Sequence, residues 1–205
     1  MGRVSDAKQR LMDSVLELIW TGSYGTTTID QICDKAGVKK GSFYYFFESK
    51  AQLAEEAFET SWQTKRVELD GIFSATLQPL ERLRKYCDFT FKIQAEIKEK
   101  YGRVLGCPQV SLGCEVCTQE DKLQKKIQCI MDYKRKYIES AIRDANAAGE
   151  TRVMDPEAKA RMIMAYYEGV LTQARIENDL GMLKDTIRGI FTILGVKDVA
   201  TVTTV

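Results

Sequence analysis

The 205-residue sequence contains no histidine. That removes the usual general base, the usual sensor of near-neutral pH and the commonest metal ligand. Histidine-dependent hydrolase triads and histidine-ligated metal sites are excluded, and no enzyme is expected. Proline occurs only at positions 79, 108 and 156. Strand-like alternation is missing except near the Val/Thr-rich end, so helical periodicity is the dominant signal. No run of eighteen apolar residues exists, too little for a membrane-spanning helix. The opening Met1-Gly2-Arg3-Val4-Ser5-Asp6 lacks the apolar stretch of a secretory signal, and the expected location is cytoplasmic. An excess of charge is also missing. The net charge is +1, and residues 1–50 hold seven basic against six acidic side chains. A nucleic-acid binder of this composition must work by placing its cations, not by their number.

What is present reads as an all-α chain of about nine helices, with 44% hydrophobic residues to build the cores. Ser5 is expected to cap a first helix that buries Leu11, Val15, Leu18 and Ile19 and stops at Gly22 and Gly25. Thr28 with Gln31 makes a capping box for a short second helix, whose buried stripe is Ile29, Ile32, Cys33 and Ala36, and Gly37 ends it. A third short helix spans Lys40 to Phe46. Ser49 with Gln52 opens a long fourth, about 50–70. Pro79 suits the first turn of another helix. Gly102, Gly106 and Pro108 break the chain before a short helical segment at 110–117. Thr118 and Asp121 should cap a long helix ending at Gly149. Asp155-Pro156-Glu157 starts the next, and Leu180-Gly181 separates it from a last helix ending near Leu194. Residues 197–205 read as a tail.

Two short helices joined at Gly37-Val38 have the spacing of a helix-turn-helix, whose second helix enters the major groove. Gly37 permits the left-handed turn. Phe43, Phe46 and Phe47 recur at three-and-four spacing and face the core. Lys39, Lys40, Gly41, Ser42 and Tyr45 are left outside, with Tyr44 at the edge. Ammonium, hydroxyl and phenol groups reach phosphate oxygens and base edges. Thr27 and Thr28 stand at a helix N-terminus, where free N–H groups suit a phosphate. An ordinary helical hairpin with lysines on its wet face has the same spacing.

The segment resembles the TetR family of bacterial transcription regulators. The resemblance rests on Thr28, Ile29, Ile32, Ala36, Gly37, Val38, Gly41, Phe43, Tyr44, Phe47, Lys50 and Leu53, in unbroken register. Phe46 departs from it, standing where the family usually has His or Tyr. The resemblance implies a three-helix DNA-binding domain over residues 1–50 and a six-helix ligand and dimer domain over 51–196, with helix four linking them. It also implies that Tyr44 and Lys50 hold phosphates while Lys39, Lys40, Ser42 and Tyr45 face the groove of a palindromic operator. The implied protein is a homodimeric repressor released by a small-molecule effector.

The helix over 157–178 is apolar on two sides. Met162, Ala165, Tyr166 and Gly169 lie on one; Ile163, Tyr167, Val170 and Ala174 lie on the other. Leu183, Ile187, Ile190, Phe191 and Leu194 form a similar stripe in the last helix. Such helices bury one face at home and offer the other to a partner, or lie wholly inside a monomer. The resemblance favours a dimer interface containing Met162, Tyr166, Gly169, Ile187, Ile190, Phe191 and Leu194. Between residues 80 and 175, the candidate pocket residues are Phe89, Phe91, Tyr101, Cys107, Met131, Tyr133, Tyr137, Met164 and Tyr167. Glu168 and Arg175 are candidates to orient a polar ligand.

The six cysteines raise one alternative. Gly106-Cys107-Pro108 with Leu112, Gly113 and Glu115 looks like a motif of one branch of the family, which includes regulators that respond to electrophiles or oxidants. Cys107 near a helix start would then be a sensor thiol, with Cys114 and Cys117 as resolving partners or soft-metal ligands. Free cysteine is equally a good small core residue. The Cys-x6-Cys-x2-Cys spacing fits no standard zinc site, so neither metal nor cofactor is expected.

Overall fold

The computed structural model describes residues 2–117 and 120–196, with side chains from Asp6 onward. Among these residues are nine α-helices: α1 (Gly2–Thr21), α2 (Ile29–Ala36), α3 (Lys40–Phe46), α4 (Lys50–Ile72), α5 (Pro79–Tyr101), α6 (Pro108–Val116), α7 (Asp121–Ala147), α8 (Pro156–Glu177) and α9 (Thr186–Leu194). A 3-10 segment, Leu180–Asp185, precedes α9. No strand occurs among the described residues.

The chain divides into two compact units. The first joins residues up to Arg66 with Pro108–Met131; the second joins Val67–Cys107 with the chain from Asp132 onward. The pairing of 108–131 with the N-terminal helices is not contained in a linear division at residue 50.

In the first unit α1 packs on α2, α3 and α6. Its core is Leu11, Val15, Ile19, Ile32, Phe43, Phe47, Leu53, Phe58 and Trp62, each nearly inaccessible. The Phe43 and Phe47 rings lie 6.0 Å apart. Helices of 8 and 7 residues such as α2 and α3 are far below the roughly 12–15 residues that persist alone. They exist because each large buried side chain contributes about 1.5–3 kcal/mol.

In the second unit α5, α8, α9 and the 3-10 segment pack together around Leu83, Ala160, Ile163, Ile190 and Phe191. The nearly buried Arg82 is neutralised by Asp144 and also donates to the Leu77 carbonyl at 3.0 Å. A buried guanidinium without such partners would be strongly destabilising.

The helix starts follow the capping chemistry in most places. Thr28 and Gln31 form the reciprocal box at α2. Pro79 opens α5, and the Asp155 side chain accepts from Ala158 N–H at α8. Two starts differ. The α1 backbone is already helical from Gly2, so Ser5 is not its cap. At α4, Ser49 Oγ accepts from Gln52 N–H, but the Gln52 side chain returns to Glu48 N–H, one residue further back. The expected Thr118 cap and the tail 197–205 lie outside the described residues.

Candidate functional site

The first candidate surface is built by α2, α3 and their turn. Gly37 sits at φ 62°, the left-handed conformation, and the Gly37 and Val38 N–H groups close on the carbonyls of Asp34 and Cys33. Arg10 Nη1 donates to the Ala36 carbonyl at 2.9 Å, tying α1 to the same turn. With the turn fixed, α3 has two distinct faces. Phe43 and Phe47 are 0% and 1% exposed, whereas Tyr44 and Tyr45 are 54% and 76% exposed. Lys39, Lys40 and Gly41 are exposed and Ser42 is half-buried on the same outer side. Lys40 is held by Asp30 of α2 at 2.8 Å, an exposed pair that competes little with a phosphate. Phe46 is half-buried, edge-on to Tyr45.

Two expected contact residues are used otherwise. Thr27 is buried, and its hydroxyl donates to the Ser23 carbonyl at 2.6 Å, so it closes the loop before α2 and does not face outward. Its neighbour Thr28 is exposed, with its oxygen engaged in the α2 cap. Lys50 turns inward, donating to the carbonyls of Tyr24 (2.7 Å) and Thr27 (2.8 Å), with its ammonium 4.1 Å from the Tyr24 ring centre. Burial lowers its pKa, against the pull of Glu120 and Glu115. Of its three N–H groups, two are thus committed to the loop that precedes α2.

That loop is also gripped from residues 108–131. Glu115 Oε2 accepts from Gly25 N–H at 3.0 Å, and Glu120 Oε1 accepts from the Tyr24 hydroxyl at 3.3 Å. Burial, then the Glu120 charge and this hydrogen bond, push the Tyr24 pKa up to about 12.

The second candidate is a polar cluster inside the second unit. Cys107 follows a turn that α5 and the end of α8 hold in place. Gln94 accepts from the N–H groups of Leu105 (3.1 Å) and Gly106 (3.0 Å) and donates to the Gly106 carbonyl at 3.1 Å. Asn178 accepts from Val104 N–H at 3.0 Å. Gly106 has φ 67°, the left-handed conformation that favours glycine.

The buried Cys107 accepts from Lys134 Nζ at 3.7 Å. Burial alone would lower the Lys134 pKa, but Cys107, Tyr86 and Glu168 together outweigh it and raise it. Glu168 is 8% exposed, and neither carboxylate oxygen meets a hydrogen-bond donor in good geometry among the described residues. Burial raises its pKa, although Lys134 and the Cys107 thiol pull the other way. The Tyr86 and Tyr167 rings stack at 4.8 Å, Phe73 lies 5.5 Å from Tyr86 and 5.1 Å from Tyr137, and Tyr167 shares a hydrogen bond with Thr90. This is a half-buried cation, a buried carboxylate and a thiol beside an aromatic stack. Such a combination is costly for folding alone.

Of the pocket candidates, Cys107, Tyr137 and Tyr167 join this cluster, and Met164 is buried in the same helix α8. Phe89 and Tyr101 are half-buried. Tyr133 is not a pocket residue: at 41% exposed it faces outward, and the neighbouring Lys134 turns inward. Tyr86, Thr90, Gln94 and Lys134 were not anticipated. Their signal is register. Lys134 stands in line with Leu123, Ile127, Ile130, Ile138 and Ala141 on the buried stripe of α7, where a lysine has no reason to be unless it has partners.

On α8, Met162 is 54% exposed, Ile176 is 76% exposed, and Ala165 and Gly169 between them are open. Tyr166 and Ile187 are half-buried, and a Cβ on Gly189 would overlap the Tyr166 hydroxyl, so α8 and α9 are in close contact there. Ile190, Phe191 and Leu194 are correctly read as apolar but not as interface. They are 1%, 1% and 5% exposed within their own unit and form its core.

Comparison with known proteins accords with this arrangement. A family model described as the tetracyclin repressor-like C-terminal domain matches residues 79–190, more than half of the chain. A second, described as bacterial regulatory proteins of the tetR family, matches residues 11–57. The chain is 28% identical over 175 residues to the transcriptional regulator AcuR of Cereibacter sphaeroides, covering 83% of this chain and 77% of that one. It is 27% identical to an uncharacterised HTH-type transcriptional regulator of Lactococcus lactis, covering 87% and 88%. Among solved structures, the regulatory protein TetR from Rhodobacter sphaeroides superposes with a TM-score of 0.76 at 27% identity, covering 92% of this chain and 97% of that one. The reduced form of E. coli NemR, at 18% identity, shares the fold with a TM-score of 0.80, covering 95% and 100%. Both family models match in order along one chain, the first over the helix-turn-helix, and the protein therefore belongs to the tetR family as a transcriptional regulator with a helix-turn-helix DNA-binding domain.

Proposed function

We propose that the protein is a homodimeric repressor that binds a palindromic operator and releases it when a small molecule occupies the buried cluster of its second unit. The observation that carries the reading is the division of α3, with Phe43 and Phe47 in the core and Tyr44 and Tyr45 open beside Lys39 and Lys40. Thr28, Lys39, Lys40, Gly41, Ser42, Tyr44 and Tyr45 form the DNA-facing set, and Lys50 has one N–H left for a phosphate. Regulators of this family bind DNA and function as dimers. One relative, DhaR of a Mycobacterium, is named a transcriptional repressor, which supports repression here. No described helix is long and apolar enough to cross a membrane, in keeping with a cytoplasmic regulator.

The dimer surface is the open side of α8, with Met162, Ala165, Gly169 and Ile176, flanked by Tyr166 and Ile187. Two recognition helices related by a two-fold axis read half-sites about 34 Å apart. The effector site centres on Lys134, Glu168, Tyr86 and Tyr167, with Cys107, Tyr137, Met164, Phe89 and Tyr101 around it. Release requires an effector that binds the DNA-free arrangement more tightly than the DNA-bound one.

A second reading makes Cys107 a covalent sensor. Its sulfur accepts from Lys134 Nζ at 3.7 Å, which places a cation beside the candidate nucleophile. A mobility-shift assay with DNA from upstream of the gene tests both readings. The protein should retard that DNA as a dimer. Release by N-ethylmaleimide in the wild type but not in Cys107→Ala selects the thiol sensor, and retention in both selects a reversible ligand. Failure to retard the DNA contradicts both.

A further inference from the structure

Cys114 and Cys117 take no part in the buried cluster, and both are exposed. They are three residues apart at the end of α6, which stops at Val116, so Cys117 lies just past the helix. Its N–H still bonds to the Gly113 carbonyl at 3.2 Å, and its thiol points back to the Cys114 carbonyl at 3.6 Å. Side chains three apart on a helix have Cβ atoms about 5–6 Å apart, and a disulfide needs about 3.5–4.5 Å. The gap closes if the last turn tightens, and a residue already outside the helix can make that adjustment.

What lies between the two thiols gives the bond a consequence. Val116 is 1% exposed and anchored in the core of the first unit. Glu115 holds Gly25 N–H at 3.0 Å, in the loop that leads into α2. Drawing Cys114 and Cys117 together twists the backbone that carries Glu115 while Val116 stays fixed.

We propose that Cys114 and Cys117 form a dithiol site for low-molecular-weight disulfides, and that closing the Cys114–Cys117 disulfide loosens the Glu115 grip on the Gly25 loop and weakens operator binding. The effect on DNA rests on the regulator reading above; the disulfide itself does not. One thiolate attacks the small disulfide, forms a mixed disulfide and expels one small thiolate. The second thiolate attacks the protein sulfur of that mixed disulfide and expels the other. Two protein thiols are oxidised by two electrons and lose two protons, and the small disulfide is reduced to two thiols.

The test treats full-length protein with oxidised glutathione and reads intact mass, free-thiol count and operator affinity. Cys107→Ala provides the background in which the buried thiol cannot contribute. The expected result is loss of two hydrogens and two titratable thiols in Cys107→Ala, absent when Cys114→Ser or Cys117→Ser is added. Operator binding should weaken about tenfold on oxidation, within the usual range of couplings between sites, and recover with dithiothreitol. In Glu115→Ala, which removes the acceptor of the Gly25 N–H, the reduced protein should already bind more weakly, and oxidation should add little. A glutathione adduct on Cys114 or Cys117 that never resolves, located by peptide mass so that the exposed Cys129 is told apart, or an oxidised protein with unchanged operator affinity, overturns the proposal. The mass readout judges the disulfide even if the upstream DNA is not bound.

Discussion

Gln94→Leu should lower the unfolding free energy by about 3 kcal/mol, read as a fall in the urea midpoint with unchanged slope. Leucine is close in volume, so the change leaves packing nearly intact and isolates the polar contribution. What disappears is one side chain that satisfies two N–H groups and a carbonyl in the turn 105–106. Each net hydrogen bond is worth about 0.5–1.5 kcal/mol, and a buried group left unsatisfied costs about 1–3 kcal/mol. The same turn sets the position of Cys107, so the variant should also change how fast that thiol reacts relative to the exposed Cys129. A midpoint equal to wild type would mean that the turn is held by other contacts.

Gly169→Arg should convert the dimer to a monomer and reduce operator affinity by about a hundredfold or more. Among the described residues, no atom beyond its chain neighbours and its own helix backbone stands within 4 Å of a Cβ added at Gly169, so the monomer fold accommodates the change. On the proposed interface the arginine would sit at the centre of the open α8 face, between Met162 and Ile176. A second recognition helix tethered to the first acts at high effective concentration, and losing it typically costs a factor of about 10²–10⁴. Analytical ultracentrifugation and operator titration measure the two effects together. A Gly169→Arg protein that remains a dimer of normal affinity would move the interface off α8.

The contrast between these two sites shows what the sequence could and could not convey. The helix-turn-helix was legible almost residue by residue. Its turn needs glycine, its short helices need caps, and its aromatic residues alternate faces at helical spacing, all of them local requirements. Thr27 and Lys50 were less legible, because their roles are set by carbonyls of the 23–27 loop, whose positions no local pattern encodes. On α8 and α9, apolarity separated helix faces from loops but not interface from core. Ile190 and Phe191 therefore read like Met162, although they are buried at home.

The buried cluster was partly visible. Tyr137, Tyr167 and Cys107 stand out in the sequence as aromatic or sulfur-bearing residues, and the structure brings Tyr137 and Tyr167 to one aromatic stack with Phe73 and Tyr86. Lys134 is hard to single out from sequence because a lysine on a long amphipathic helix is normally solvated. The better criterion is a polar residue in buried register. Gln94 on α5, Lys134 on α7 and Glu168 on α8 each interrupt an otherwise apolar stripe, and Gln94 and Lys134 find their partners in the 105–107 turn, far away in sequence.

The most direct test of the central claim, that α3 reads DNA, is a titration of the full-length protein onto DNA upstream of its gene over a range of salt concentrations. The wild type should lose affinity steeply as salt rises. Lys39→Ala should flatten the slope by about one phosphate contact, and Tyr44→Ala should weaken binding at every salt concentration by about tenfold. Wild-type affinity and slope in both variants would contradict the assignment of this face to DNA.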